Sequence, residues 1–411
     1  MQNTAPDALR IAVISDVHAT SKQGDVSRSH CKMDPAFSGK LHNPLSGLVD
    51  LAERGDLVAD LILCPGDLAD HAEPSATTFA WKKINELATS LSNCRVIATA
   101  GNHDVDSRHE HSKFDGRGLL QSLIPRFPVQ DEGLYDRYWS RHFVTIEDDR
   151  YRILVLNSSA YHGTSDAKDR RGNSVPEYEH GRISDYTLDA IRDELAKSNT
   201  KEINILLCHH HPHQHSEHGL GELDVMQGGQ RLIELLGNSR FGSWLIVHGH
   251  KHHPKISYAA GPTSATPVVF ASGSVSAYLY PELATHTRNQ FHLLELSRSE
   301  IRKFGLVGKF SSWDWSSGIG WIPAQPSMGL PRSGGFGNRT QMPLIVESLL
   351  GHLKKPSMKW RELCSSMPEL AYLLPSDLQT LTRCLEENHR ISFLQNKNGE
   401  IERVEKLDDS V

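Results

Sequence analysis

The chain predicts an α/β fold, and three observations carry that expectation. Between residues 9 and about 310, short apolar runs typical of buried strands alternate with stretches of helical periodicity. Those runs end, again and again, in Asp, Asn or His. Past residue 314 the texture changes, first to Pro and Gly and then to a new set of helical patterns.

Composition narrows the function classes. A chain of 411 residues has room for one large domain and a smaller one. Its net charge of −6 argues against bulk electrostatic capture of nucleic acid and leaves only a local basic groove for that purpose. No stretch approaches the roughly 18 apolar residues that a membrane span requires. The apolar run 11–14 is too short for a signal segment. A cytoplasmic location and no membrane partner are therefore expected. The six cysteines lack CxxC spacing, and Cys64 and Cys208 sit inside apolar strands, so they read as reduced, buried thiols.

Taken in order, residues 9–15 form a strand that delivers Asp16 and His18. Residues 19–44 are polar, too long for an ordinary connection, and read as a functional loop or lid. A helical pattern over 45–54 precedes a strand at 60–64, whose exit is Gly66-Asp67-Leu68-Ala69-Asp70. A helix over 76–91 leads to a third strand at 95–99, which ends in Gly101-Asn102-His103-Asp104. Residues 105–130, with Arg108, His109, His111 and Arg117, form a second polar insertion at the same edge. Strands at 143–147 and 151–156 lead to Asn157-Ser158-Ser159, and Ser184 is the expected N-cap of the next helix. The strand 203–208 runs into His209, His210 and His211, with His213, His215 and His218 beyond. A helix at 227–236 and a strand at 244–247 precede His248, His250, His252 and His253. Strands at 267–271 and 290–296, and one near 303–310, close the pattern.

Residues 313–343 read as a Pro- and Gly-rich linker that holds no regular structure, with Trp313, Trp315 and Trp321 covering the sheet. Helices at 344–353, 360–370 and 377–387, followed by a hairpin at 391–404, then resemble a winged-helix module. Appended and dimerising domains share this pattern, so the module is a candidate for holding two copies together. Residues 344–411 show no basic excess.

Ten of the 24 histidines fall in the two runs near 209 and 250, each directly after an apolar strand. Neutral imidazole is the commonest protein ligand for transition ions, and open α/β sheets bind ligands beyond the carboxyl ends of their strands. Collected in order, the exits read Asp-x-His, Gly-Asp-x-x-Asp, Gly-Asn-His-Asp, a His run and Gly-His-x-His. Any one could arise by chance. The ordered set over residues 9–310 resembles the calcineurin-like metallophosphoesterase family.

The resemblance implies a two-sheet β-sandwich flanked by helices, occupying residues 1–312. It implies two divalent metal ions, of manganese, iron or zinc. Asp16, His18 and His252 would serve one ion and Asn102, His209 and His250 the other, with Asp67 bridging. The implied chemistry is attack on a phosphodiester by metal-bound hydroxide, with His103 protonating the leaving oxygen and Asp104 orienting it. Asp70 would be supporting, and His210 is the alternative to His209. His211, His213, His215 and His218 are expected at the rim or in solvent, and His248 and His253 as packing or surface residues. The expected substrate is a small nucleotide or related phosphodiester. A nuclease that uses the C-terminal module for substrate binding is the alternative, and a non-catalytic scaffold is the alternative of another class. The motif GDxVDRG of the related Ser/Thr protein phosphatases is not matched.

Overall fold

In a computed structural model, residues 7–22, 28–55, 57–163, 180–213, 225–259 and 265–407 are described, with the backbone of 167–168 and 174–175. The chain runs β1 (Ala8–Val13), α1 (Pro44–Glu53), β2 (Leu61–Cys64), α2 (Pro74–Ser90), β3 (Arg95–Ala98), α3 (Gly118–Gln121), α4 (Glu132–Arg141), β4 (Phe143–Glu147) and β5 (Tyr151–Leu156). A two-stranded ribbon, β6 (Ala167–Lys168) and β7 (Ser174–Val175), precedes α5 (Asp185–Lys197), β8 (Ile203–Leu207), α6 (Gly229–Leu236), β9 (Trp244–His248), β10 (Pro254–Tyr258) and β11 (Val268–Ser272). There follow α7 (Pro281–Ala284), β12 (Gln290–Ser297), α8 (Arg298–Phe304), β13 (Gly308–Ser316), β14 (Gly320–Pro323) and β15 (Ser333–Phe336).

Two sheets face each other. One has the order β14-β13-β12-β1-β2-β3 with β15 also on β13, and the other β10-β11-β9-β8-β5-β4. The alternation of side chains along a strand explains why these runs are continuously apolar. On β8, Ile203, Ile205 and Leu207 enter the core between the sheets, while Leu206 and the following Cys208 enter a second core against α5 and α6. β5 divides in the same way, with Ile153 and Val155 inward and Leu154 and Leu156 outward. Helices α1 and α2 cover the other sheet. Ser184 caps α5 as expected, its hydroxyl accepting from the Thr187 amide at 3.1 Å.

The sheets are also tied by a buried imidazole. His292 on β12 donates from Nε2 to the Ser272 carbonyl at 3.0 Å, at the end of β11, and its Nδ1 lies 2.8 Å from Ser312 Oγ on β13. The neutral ring is fully satisfied there.

The linker expectation is corrected. Residues 313–343 carry the second half of β13, then β14 and β15, which extend the first sheet. Gly318 and Gly320, both at positive φ, make the turn of an edge hairpin, with Trp315 opposite Trp321 in register, and Gly334 and Gly335 let β15 pass close to Phe310 and Ala371. Trp321 Nε1 donates to the Pro44 carbonyl at 2.8 Å, so these indoles cover the sheet against α1. The strand expected near 303–310 starts later, because Ser297 caps the short helix α8 first. Helix α4 and strand β10 were not legible as separate elements.

The C-terminal module contains α9 (Met342–His352), β16 (Ser357–Lys359), α10 (Trp360–Ser366), α11 (Pro375–His389), β17 (Ile391–Gln395) and β18 (Ile401–Lys406). Its sheet has the order β16-β18-β17 and its own apolar core, including Ile345, Leu349, Leu381, Leu385 and Val404. It is joined to the larger unit where β15 meets the start of β13, Phe336 opposite Gly308. There Asn338 donates to the Glu369 carbonyl at 2.7 Å and Tyr372 Oη to Glu300 at 3.1 Å. No helix among the described residues is long and apolar enough to cross a membrane.

Burial of His292 sets a pH dependence. Desolvation depresses its pKa to about 3, with the Ser272 carbonyl opposing. An imidazole in the unfolded chain titrates near 6.5, so between about 6.5 and 3 the unfolded state binds this proton first. Stability is therefore full above that window and falls as pH drops through it. His292→Gln, whatever its own cost, should flatten this acid limb by up to ~1.4 kcal/mol per pH unit, read by urea unfolding at pH 4 to 7.

Candidate metal centre

The strands β1, β2, β3, β8 and β9 end on one edge of the sandwich, and the loops leaving them converge. His18 Nε2 lies 3.1 Å from His252 Nε2 and 3.3 Å from Asp67 Oδ2. His252 Nε2 is 3.3 Å from Asp16 Oδ1. On the other side, His209 Nε2 is 2.9 Å and His250 Nδ1 3.1 Å from Asn102 Oδ1, and His209 Nε2 is 3.5 Å from Asp67 Oδ2. All seven side chains expected to hold metal are thus within one cluster. Asp67 stands between its halves. Its Oδ1 accepts from the His103 amide at 2.8 Å, and its Oδ2 faces imidazoles of both groups.

Local backbone makes this convergence. Asp16, His18, Asp67, His250 and His252 all have positive φ, between 46° and 73°. Asp and His enter this region more readily than branched residues, and such conformations gather at functional sites. The motif glycines allow the loops to touch. A Cβ at Gly101 would collide with the Asp67 carboxylate, and one at Gly249 would collide with Asp16 and Ser15. The glycine of each signature thus makes room for the ligand of another.

The electrostatics suit a cation. Burial, then the neighbouring carboxylates of Asp16 and Asp104, push Asp67 well above the ordinary range. Burial, with the surrounding imidazoles, pushes His18 well below its ordinary value, and burial lowers His209 and His250 likewise. Carboxylates crowded together beside neutral imidazoles with available lone pairs form the donor set of a transition-metal site. Groups that fit a metal by geometry include Asp16 with His18 and His252, Asp16 with Asp67 and His209, and His209 with His210 and His250.

His103 sits beside the cluster, its ring 4.6 Å from that of His18. The orienting role expected of Asp104 falls to Asp70, whose Oδ1 lies 3.4 Å from His103 Nδ1. Asp104 is fully buried and accepts instead from the amides of Asp67 (2.8 Å), Leu68 (2.6 Å) and Gly101 (2.9 Å), pinning two loops together. Burial works to raise Asp70, but the His103 hydrogen bond and the charges around it bring its pKa down to about 2. Lys22 Nζ approaches the same carboxylate at 3.5 Å. The lid reading of 19–44 falls partly on residues 23–27, outside the described residues.

The histidine run differs from expectation. His211 is fully buried rather than at a rim, because the chain turns inward there and the Met226 amide donates to its carbonyl at 3.0 Å. His210, the alternative to His209, is buried too, and His248 is buried in keeping with packing, whereas His215 and His218 lie outside the described residues. Ser158 and Gly181, which hold His210, escaped the sequence reading. For Ser158 the signal was the polar exit Asn157-Ser158-Ser159 of the 151–156 strand, which was given no role.

A family model described as calcineurin-like phosphoesterase matches residues 9–280, and one described as wHTH-Calcineurin_assc matches residues 334–387. A protein of Rhodococcus erythropolis named as a probable cyclic nucleotide phosphodiesterase is 27% identical over 224 residues, which is 54% of this chain and 60% of that protein. The chain thus spans about three fifths of that relative's length. Among solved structures, PhoD superposes with a TM-score of 0.50 at 9% identity, over 81% of this chain and 70% of its own. The purple acid phosphatase PPD1 of yellow lupin (Lupinus luteus) gives a TM-score of 0.46 at 12% identity, over 80% of this chain and 54% of its own. At such identities the likeness concerns the fold.

Asp104→Ala strands three buried amides without an acceptor, at about 1–3 kcal/mol each before relaxation. The metal-free variant should lose at least ~2 kcal/mol of stability in urea unfolding. An unchanged midpoint would remove the pinning role.

Proposed function

This chain belongs to the calcineurin-like phosphoesterase family, and on that premise we propose that it is a metal-dependent phosphodiesterase acting on a small nucleotide or related phosphodiester. The observation that carries the reading is the meeting of Asp16, His18, Asp67, Asn102, His209, His250 and His252 at one strand edge. Asp16, His18 and His252 would hold one divalent ion and Asn102, His209 and His250 a second, with Asp67 shared. Manganese, iron and zinc all accept such mixed ligation. When bound, divalent ions here supply the positive charge that neutralises phosphoryl oxygens and acidifies water.

The chain's own residues complete the chemistry. With Nδ1 of His103 engaged at Asp70, Nε2 is the nitrogen that hands a proton to the departing oxygen. Asp70 acts through His103: it accepts from Nδ1–H of the imidazolium, the form from which Nε2 releases its proton to the leaving oxygen, which leaves the ring neutral. Asp104 holds the loops of Asp67 and Asn102 in register. The probable cyclic nucleotide phosphodiesterase among the relatives supports a small cyclic substrate.

The nuclease alternative gains nothing from the fold. The module joins the sandwich near Gly308 and Phe336, level with the start of β1, whereas the cluster lies past its end. A scaffold would have no use for seven intact donors. The six cysteines are all free, which fits a reducing, cytoplasmic setting.

The test is a hydrolysis panel on chelator-stripped protein with manganese, zinc or iron restored. It compares bis-p-nitrophenyl phosphate, p-nitrophenyl phosphate, cyclic nucleotides, and single- and double-stranded DNA, with Asn102→Ala as control. Diester turnover should vanish on stripping and return with metal, and cyclic nucleotides should outpace DNA. No turnover of any ester by metal-loaded protein would sink the proposal. Asp70→Asn should lower kcat about 10- to 100-fold with KM nearly unchanged, and more for alkyl leaving groups than for p-nitrophenolate.

A further inference from the structure

We propose that His210 is a further ligand of the metal centre, joining His209 and His250 on one ion. The inference rests on the metal-dependent reading above and adds an eighth donor to the seven named there. Four observations bear on it. His210 is fully buried, and among the described residues its Nε2 has no hydrogen-bond partner. A buried nitrogen left in that state costs about 1–3 kcal/mol, so the fold maintains it against a penalty. Donor atoms of His209, His210 and His250 lie within 4.8 Å of one another, close enough for one cation.

The ring is also held in place. Its Nδ1 is 2.9 Å from Ser158 Oγ, and the His210 amide donates to the same oxygen at 3.2 Å. Gly181, at φ +58°, covers one face so closely that a Cβ there would collide with the imidazole. The His250 ring lies 4.6 Å away, centroid to centroid, and that of His209 4.9 Å away, nearly perpendicular. Ligating histidines characteristically spend the second ring nitrogen on a fixed partner, which sets the tautomer. With Nδ1–H donating to Ser158, Nε2 keeps its lone pair.

The neighbours divide the roles. His209 Nδ1 donates to the Pro65 carbonyl at 3.0 Å, so its Nε2, 2.9 Å from Asn102 Oδ1, carries the lone pair, and His210 offers a second imidazole from the next residue. One ion would then be held by His209, His210, His250 and the Asn102 amide and the other by Asp16, His18 and His252, with Asp67 shared. A position with three imidazoles and one shared carboxylate suits zinc or iron, and one with two carboxylates suits manganese better. The two positions are therefore chemically unequal, and the centre favours two different metals.

Metal-free full-length protein would be titrated with zinc and with manganese by calorimetry. Imidazoles on the cobalt-loaded form would be counted by X-ray absorption. His210→Phe keeps a ring between Ser158 and Gly181 but has no nitrogen. It should weaken one of the two binding events roughly 100-fold, leave the other unchanged and lower the imidazole count. Ser158→Ala should shift the same event in the same direction by less. His210→Ala, run in parallel, carries the same expectation if the larger ring does not fold. Two unaltered affinities, or weaker binding with an unchanged imidazole count, overturn the inference and leave the function standing. A wild-type chain that binds no divalent ion overturns both.

Discussion

Three carboxylates, Asp16, Asp67 and Asp104, are buried together at the strand ends, and the rest of the site is arranged around that repulsion. The fold gives each a different compensation. Asp104 is answered by three backbone amides, and Asp16 by the His250 amide and the ring of His252. Asp67 receives a single amide and stays under the pressure of the other two. The residue left least satisfied is the one that touches both halves of the cluster. Strained loop conformations at Asp16, His18 and Asp67 are what allow such groups to approach without the chain passing between them.

Much of this was legible because it is local. A strand buried on both faces writes itself as a continuous apolar run, and its exit writes itself as a change to Asp, Asn and His. Hence β1, β2, β3, β8 and β9 and the residues that follow them could be placed from sequence, as could the cap at Ser184 and the indoles over the sheet. What failed were relations across the chain. Whether Asp70 or Asp104 faces His103 depends on the packing of two loops and not on adjacency, and adjacency favoured the wrong one. His211 looked like part of a polar run, yet the loop buries it, with the Met226 amide bonded to its carbonyl. Edge strands such as β14 and β15 are short and carry Gly at a turn or a close approach, so composition hid them.

Helix–sheet packing and sheet–sheet packing contribute differently. The inner core joins alternate residues from both sheets, and His292 fixes one sheet to the other through polar atoms that only one relative placement can satisfy. That placement brings the exits of β1, β2 and β3 opposite those of β8 and β9. A sandwich with the same apolar contacts but slid by one residue would separate His18 from His252.

The attachment of the C-terminal module at the foot of the strands has a consequence for how such a chain can change over generations. Substitutions on α11 or the β17–β18 hairpin act at the end of the strands away from the metal-ligand loops, and substitutions in the loops do not touch the docking contacts of Asn338 and Tyr372. The two ends of the same strands are thus open to separate selection. Changes in the module therefore need not disturb the loops at the other end, and changes in those loops need not disturb the module's attachment.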